Sequence, residues 1–290
     1  MRVFHTVLLL IITAAGVAYG QEKKDTLIRI TEHPTNDYHA KWSPDGKTLA
    51  FTSDRSGEPK IWLCPAFGGE AVLLETNKSG DHHIGWSPDG SRIVFDAREP
   101  DGRPNIWIID VKSGETKKLL SDAGPNFQPA WSPDGLKIAF ASLRSGNADI
   151  WVVPVDSGAP VRMTDSPYTE HHPQWSPDSK NIIFTTIQGD DADISIVPAE
   201  GGPPKKLIAG PSFDDCAFFS PDGSRLVYIS RREGKSELWV ARADGSKTRH
   251  LPTSGDVGWP HWSPDGKWLA FTLEQNDNRD IWIMKAGRKE

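Results

Sequence analysis

An all-β fold, a six-bladed β-propeller of four-stranded blades, is the architecture this sequence predicts, and three observations carry it. A tryptophan-and-turn motif, W-S-P-D-G, recurs six times at nearly constant spacing. Between its copies, apolar residues alternate with period two and show no helical period. A chain of 290 residues with 37% hydrophobic and 25% charged residues can bury the core that such a ring requires.

The motif stands at Trp42–Gly46, Trp86–Gly90, Trp131–Gly135, Trp175–Ser179, Phe219–Gly223 and Trp262–Gly266, so successive copies lie 44, 45, 44, 44 and 43 residues apart. Repeats of this length are those of propeller blades. In each unit a first strand ends at the Trp, whose size suits the wedge between neighbouring blades. The turn follows: Pro presets φ, Asp bonds nearby amides and Gly accepts a left-handed backbone. Six copies of one serine are expected to be structural rather than nucleophilic. A second, alternating strand comes next, such as Thr48–Thr52, then a polar loop such as Ser53–Gly57. The third strand carries Ile61 and Trp62 or their equivalents, and a short fourth strand, such as Ala71–Leu74, completes the unit. The last repeat stops after its third strand. Leu27–Thr31 is therefore expected to supply the outer strand of that blade, closing the ring and removing an exposed edge.

The first twenty residues read as a secretion signal: Arg2 at the start, an apolar run from Val7 to Ala18, and a small-x-small site at Ala18, Tyr19 and Gly20. Residues 21–290 are expected to form a single propeller domain. The apolar run is short for a bilayer span, and no cysteine ends it, so no lipoprotein anchor is expected. The mature chain is predicted to be periplasmic or secreted, without a membrane span, and monomeric. With 33 basic against 39 acidic residues and no basic run, nucleic acid is not expected as a partner. Cys64 and Cys216 fall on blades that are not adjacent, beyond disulfide reach, and are expected as free, buried thiols.

The stretch WSPDGKTLAFTSDRSGEPKIW resembles the WD40-like (PD40) repeat of the TolB family of bacterial propellers, and the resemblance extends over everything after residue 26. It implies a channel-bearing propeller that works with cell-envelope proteins. TolB proteins carry a further α/β domain ahead of the propeller, which this chain is expected to lack. Related propellers gate prolyl-oligopeptidase-type enzymes, but no G-x-S-x-G elbow occurs here. H-E-x-x-H and P-loop motifs are also absent.

Aligning the repeats on the Trp exposes positions that scaffolding alone would not make polar. Three residues before it stand His39, His83, Gln128, His172, Cys216 and Trp259. In a propeller this strand is the innermost, so the first four are expected at equal heights around the channel. Imidazoles with a side-chain carbonyl suit one divalent ion of the Mn, Fe, Ni or Zn class. Five residues before the Trp stand Asp37, Asp81, Glu170 and Asp214, which with His171 and the loop residues Arg55, Arg98 and Arg144 are expected to ring the mouth as ligand-binding groups. The expected function is non-catalytic: binding a cell-envelope protein, a peptide or a small ligand at the channel mouth. The alternative is a lyase-like, metal-dependent enzyme acting on an acidic saccharide. It follows from a resemblance to oligogalacturonate lyases, whose TolB-like propeller, seven-bladed where this chain has six repeats, holds a metal with histidines and a glutamine.

Overall fold

Every copy of the turn is closed by the same two side chains. Ser43 Oγ donates to Asp45 Oδ1 at 2.6 Å and accepts the Thr48 amide at 3.0 Å, while Asp45 Oδ1 also accepts the Lys47 amide at 3.1 Å. The hydroxyls of Ser87, Ser132, Ser176, Ser220 and Ser263 repeat the bond to their aspartates. Each also accepts the amide five residues on. Donor and acceptor are both used, which leaves none of these serines placed as a nucleophile. Gly46 follows at φ 71°, and in the fourth repeat Ser179 takes that left-handed position at φ 59°.

The computed structural model describes residues 27–287 apart from 122–123 and 157, and the predicted signal sequence lies outside the described residues. The described chain contains 24 strands and folds as an all-β propeller. Its strands form four four-stranded sheets and one eight-stranded sheet, the latter two meanders joined at a single parallel pair, Ala192 with Phe213. The strands that end at the Trp, among them Asp37–Trp42, Ser79–Trp86 and Asn126–Trp131, pack side by side around the central channel.

Apolar cores lie between meanders rather than within them. Trp42, Leu49 and Phe51 pack with Ala270, Ile281 and Ile283, whereas Ala50 and Ile61 on the other face pack with Ile93 and Phe95. Three of the Trp indoles act as staples across these contacts. Those of Trp86, Trp175 and Trp262 donate to the carbonyls of Lys41, Ala130 and Phe218 in the preceding meander, at 3.1–3.2 Å.

The N-terminal segment joins the last meander. Ile28 and Arg29 pair antiparallel with Ile283 and Trp282. Arg29 Nη2 donates to Asp280 Oδ2 at 2.8 Å, and Thr31 Oγ1 accepts the Ile281 amide at 3.0 Å. Cys64 and Cys216 are free and buried.

The turn geometry yields a direct test. Ser132 is fully buried and its hydroxyl makes two of the turn's bonds. Ser132→Ala is expected to lower stability by about 1–3 kcal/mol, read as a shift in the urea midpoint. An unshifted midpoint would remove the serine from the list of structural groups.

Candidate functional site

Each inner strand breaks register at the same place, and Ser79–Trp86 breaks it a second time nearer its start. Tyr38 pairs with Thr52 and Lys41 with Ala50, so His39 and Ala40 together face one residue, Phe51. The other five strands repeat the bulge at the corresponding position. The residues opposite are Phe95, Phe140, Phe184, Tyr228 and Phe271, all fully buried. At the bulge the backbone turns left-handed: φ is 58° at His39, 33° at His83, 57° at Gln128, 50° at His172, 53° at Cys216 and 48° at Trp259. A left-handed non-glycine residue costs about 1–2 kcal/mol, and a bulge re-aims its side chain. The six side chains leave the pleat and line one narrow cavity of about 30 Å³ on the channel axis.

His39 is 5% exposed, and neither of its ring nitrogens has a hydrogen-bond partner. Its ring lies 4.4 Å from that of His83 and stands edge-on to Trp259 at 4.2 Å. Burial, with the neighbouring imidazoles of His83, His82 and His172, holds the His39 pKa well below the usual range. Gln128 Nε2 donates to His172 Nε2 at 2.6 Å, and Gln128 Oε1 accepts the His172 amide at 3.0 Å.

Carboxylates stand behind two of the imidazoles. His83 Nδ1 is 3.1 Å from Asp96 Oδ1, and His172 Nδ1 donates to Asp215 Oδ1 at 2.8 Å. Asp215 Oδ1 also accepts the Thr185 hydroxyl at 2.7 Å and the Cys216 amide at 2.6 Å. Burial opposes charge on Asp215, but His172 and these bonds hold its carboxyl well below the usual carboxylate range. A carboxylate on Nδ1–H fixes the tautomer and puts the lone pair on Nε2, where in His172 it accepts from Gln128; this is the arrangement common behind metal-ligating histidines. Sequence reasoning missed Asp96 and the role of Asp215. One signal was available for Asp96: it is the charged residue at a second-strand position where the other repeats place Thr52, Ala141, Thr185, Ile229 and Thr272.

The structure gives each of the residues expected at the mouth its own surroundings. Asp37 is fully buried and takes both carboxylate oxygens to Arg55 Nη2, at 2.8 and 2.9 Å, while Arg55 lies over the Trp62 ring at 4.8 Å. Asp81 is buried on the Thr76 hydroxyl, and Glu170 and Asp214 are buried as well. Arg144 bonds Asn126 Oδ1 at 2.8 Å and stacks over Trp151. Arg98 is exposed, and His171 is half-buried beside Phe127, its pKa pushed down to about 4 by burial. The bulge diverts the residue that it adds, while the acidic row stays on the pleat and is buried, Asp37 against the loop residue Arg55.

The mouth is built from other groups. A cavity of about 430 Å³ opens beside His172, Asp215, Cys216 and Trp259 and is bordered by Arg231 and Arg279. At the opposite end the turn prolines Pro44, Pro88, Pro133, Pro221 and Pro264 border a funnel of about 390 Å³. Lys41 lines both this funnel and the narrow cavity, with Nζ 3.6 Å over the Phe218 ring, and burial pushes its amine down to about 7.

Residues 21–99, 84–171 and 161–290 match the family model of the TolB beta propeller domain. The chain belongs to that family. Over 43 residues it is 46% identical to the Tol-Pal system protein TolB of Bordetella pertussis, a match that spans 15% of this chain and 10% of that protein. The crystal structure of TolB from Acinetobacter baumannii is similar to this TolB-family chain with a TM-score of 0.66 at 23% identity, over 88% of this chain and 64% of that one. An oligogalacturonate lyase in complex with manganese is similar with a TM-score of 0.66 at 15% identity, over 93% and 96% of the two chains. At these identities the structural likenesses show the fold.

The buried Asp81 carboxyl sets a pH dependence. Burial raises the Asp81 pKa from 3.8 to about 7. A carboxyl raised in the folded state favours folding most below its unfolded value, and that contribution is lost as pH climbs through about 7. Asp81→Asn is therefore expected to gain on the parent by on the order of 2 kcal/mol between pH 4 and pH 8, measured by urea denaturation at both. A difference that is flat with pH would show Asp81 ionising as a solvent carboxyl does.

Proposed function

We propose that this TolB-family chain is a six-bladed propeller, one blade per repeat over residues 21–290, acting in the periplasm or outside the cell after removal of residues 1–20. Its channel binds a divalent transition-metal ion through His39, His83, Gln128 and His172, and an acidic small ligand of the saccharide class reaches that ion through the 430 Å³ mouth cavity. The observation that carries the proposal is His39, a buried imidazole with both nitrogens unpartnered, facing a second imidazole at 4.4 Å. Leaving buried polar groups unsatisfied costs about 1–3 kcal/mol each, and coordination removes that cost.

The donor set fits the ion. Neutral imidazoles with one amide oxygen suit Mn, Fe, Ni or Zn, and the Asp96 and Asp215 carboxylates orient two of the rings. Once bound, the ion supplies Lewis acidity toward a ligand carboxylate. The remaining work falls to the protein. Arg231, exposed at the mouth over the Phe213 ring at 4.9 Å, supplies positive charge for an anionic ligand. Trp259 joins the mouth cavity to the narrow one and offers a flat apolar face. The likeness to a manganese-holding lyase supports this reading.

A second reading, binding of a cell-envelope protein segment without catalysis, draws support from the TolB relatives and from the proline-lined funnel at the opposite mouth. Chelation separates the two: segment binding at the prolines survives metal removal, whereas saccharide binding does not.

The test is elemental analysis and manganese or zinc titration of protein purified without chelator. Near-stoichiometric metal is expected, with affinity falling more than about tenfold in His83→Ala. Absence of bound metal in the parent chain, or equal binding in the variant, would rule the site out. Titration of oligogalacturonate into metal-loaded and chelated protein then reads ligand binding, and growth of ultraviolet absorbance from an unsaturated product reads turnover.

A further inference from the structure

His172 presents its two ring nitrogens to two different donor sets. Nε2 meets Gln128 at 2.6 Å, on the side of His39 and His83. Nδ1 lies 2.8 Å from Asp215 Oδ1 and 3.5 Å from Cys216 Sγ. A nitrogen, a carboxylate oxygen and the sulfur of these three residues all lie within 4.8 Å of one another. Asp215 Oδ1 is committed to three donors, which leaves Oδ2 for another partner. All three residues line the open mouth cavity, whereas His39, His83 and Gln128 line only the narrow one. Cys216 is 5% exposed; its position in the bulge brings it to the wall of both cavities, and it also packs against the apolar core shared with Val257 and Trp262.

We infer that His172 Nδ1, Asp215 and Cys216 form a second cation site, open to the mouth and selective for thiophilic ions of the zinc, copper(I) and cadmium class. Sulfur decides the class: thiolate with imidazole and carboxylate suits soft and borderline ions, whereas the sulfur-free set across the ring suits manganese as well. Binding would release the Cys216 proton to solvent and move the His172 proton from Nδ1 to Nε2, displacing the Gln128 amide group from which Nε2 accepts in the metal-free chain, since a neutral imidazole has one lone pair to give. That move withdraws His172 from the set containing His39 and His83. The two sites therefore exclude one another, and the identity of the ion decides which is filled. The exclusion rests on the metal reading given above, but the sulfur-containing site does not.

Cadmium(II), titrated into the metal-free mature chain and followed by ultraviolet absorption, tests the inference. One equivalent is expected to bind with a thiolate-to-cadmium charge-transfer band. Cys216→Ser should abolish the band and weaken cadmium binding by more than the roughly 10–100-fold typical of losing an outer-sphere partner. His83→Ala should keep the band while losing manganese. In the parent chain cadmium should displace manganese, followed by electron paramagnetic resonance of the released ion. Failure to bind cadmium, binding without the band, or a band that survives in Cys216→Ser overturns the site. Manganese retained alongside cadmium overturns the exclusion alone. A cadmium band in a chain that binds no manganese overturns the His39–His83–Gln128–His172 reading and leaves this one standing.

Discussion

The left-handed backbone turn that each inner strand takes three residues before its Trp is the constraint on which the site depends. Without it, a strand of period two would send every side chain to one face of the blade or the other, and both faces are committed to cores. The extra residue of the bulge belongs to neither face, so its side chain is free to enter the channel. A fully buried aromatic ring lies across each bulge, from Phe51 to Phe271, and holds the distorted strand against the next. The backbone cost is paid six times whatever residue occupies the position. Side-chain identity there is consequently released from scaffold duty, and His, Gln, Cys and Trp all occur on the same geometry.

This separation explains what could be read in advance. The turn was legible because its hydrogen bonds connect residues two to five apart, within one run of sequence. The shared register of His39, His83, Gln128 and His172 was legible because repeats of nearly constant length can be superposed. Neither the left-handed backbone nor the pairing of His172 with Asp215, 43 residues away, leaves a mark in a single repeat. Alignment gives a residue's height on the strand but not its side. Height alone suggested the mouth for Asp37, Asp81, Glu170 and Asp214, and their burial on the pleat could not be read from it.

The buried acids and the channel imidazoles are two answers to one electrostatic problem. Asp37 is held by a guanidinium with both oxygens engaged, while Asp81 has a hydroxyl on one oxygen and no partner on the other. Burial therefore tells on Asp81 as a raised pKa. In the channel the sign reverses. Burial first, and the neighbouring imidazoles second, disfavour charge on His39, which stays neutral with its lone pair available. Neutral donors at close quarters, backed by Asp96 and Asp215, make the waist of the channel chemically distinct from both of its mouths.

Closure by the N-terminal strand carries a consequence for how the protein comes together. The other meanders pair strands that are neighbours in sequence, and such hairpins form early because little chain must be ordered. The last waits for Arg29 to meet Asp280, 251 residues along the chain. Joining ends so far apart adds loop-closure entropy and makes this the slow, late event of assembly. Until it occurs, Asn278–Lys285 offers an unpaired edge to any passing strand. The two ends of the chain thus act as a clasp, and a newly made molecule is most exposed to misassociation in the interval before that clasp shuts.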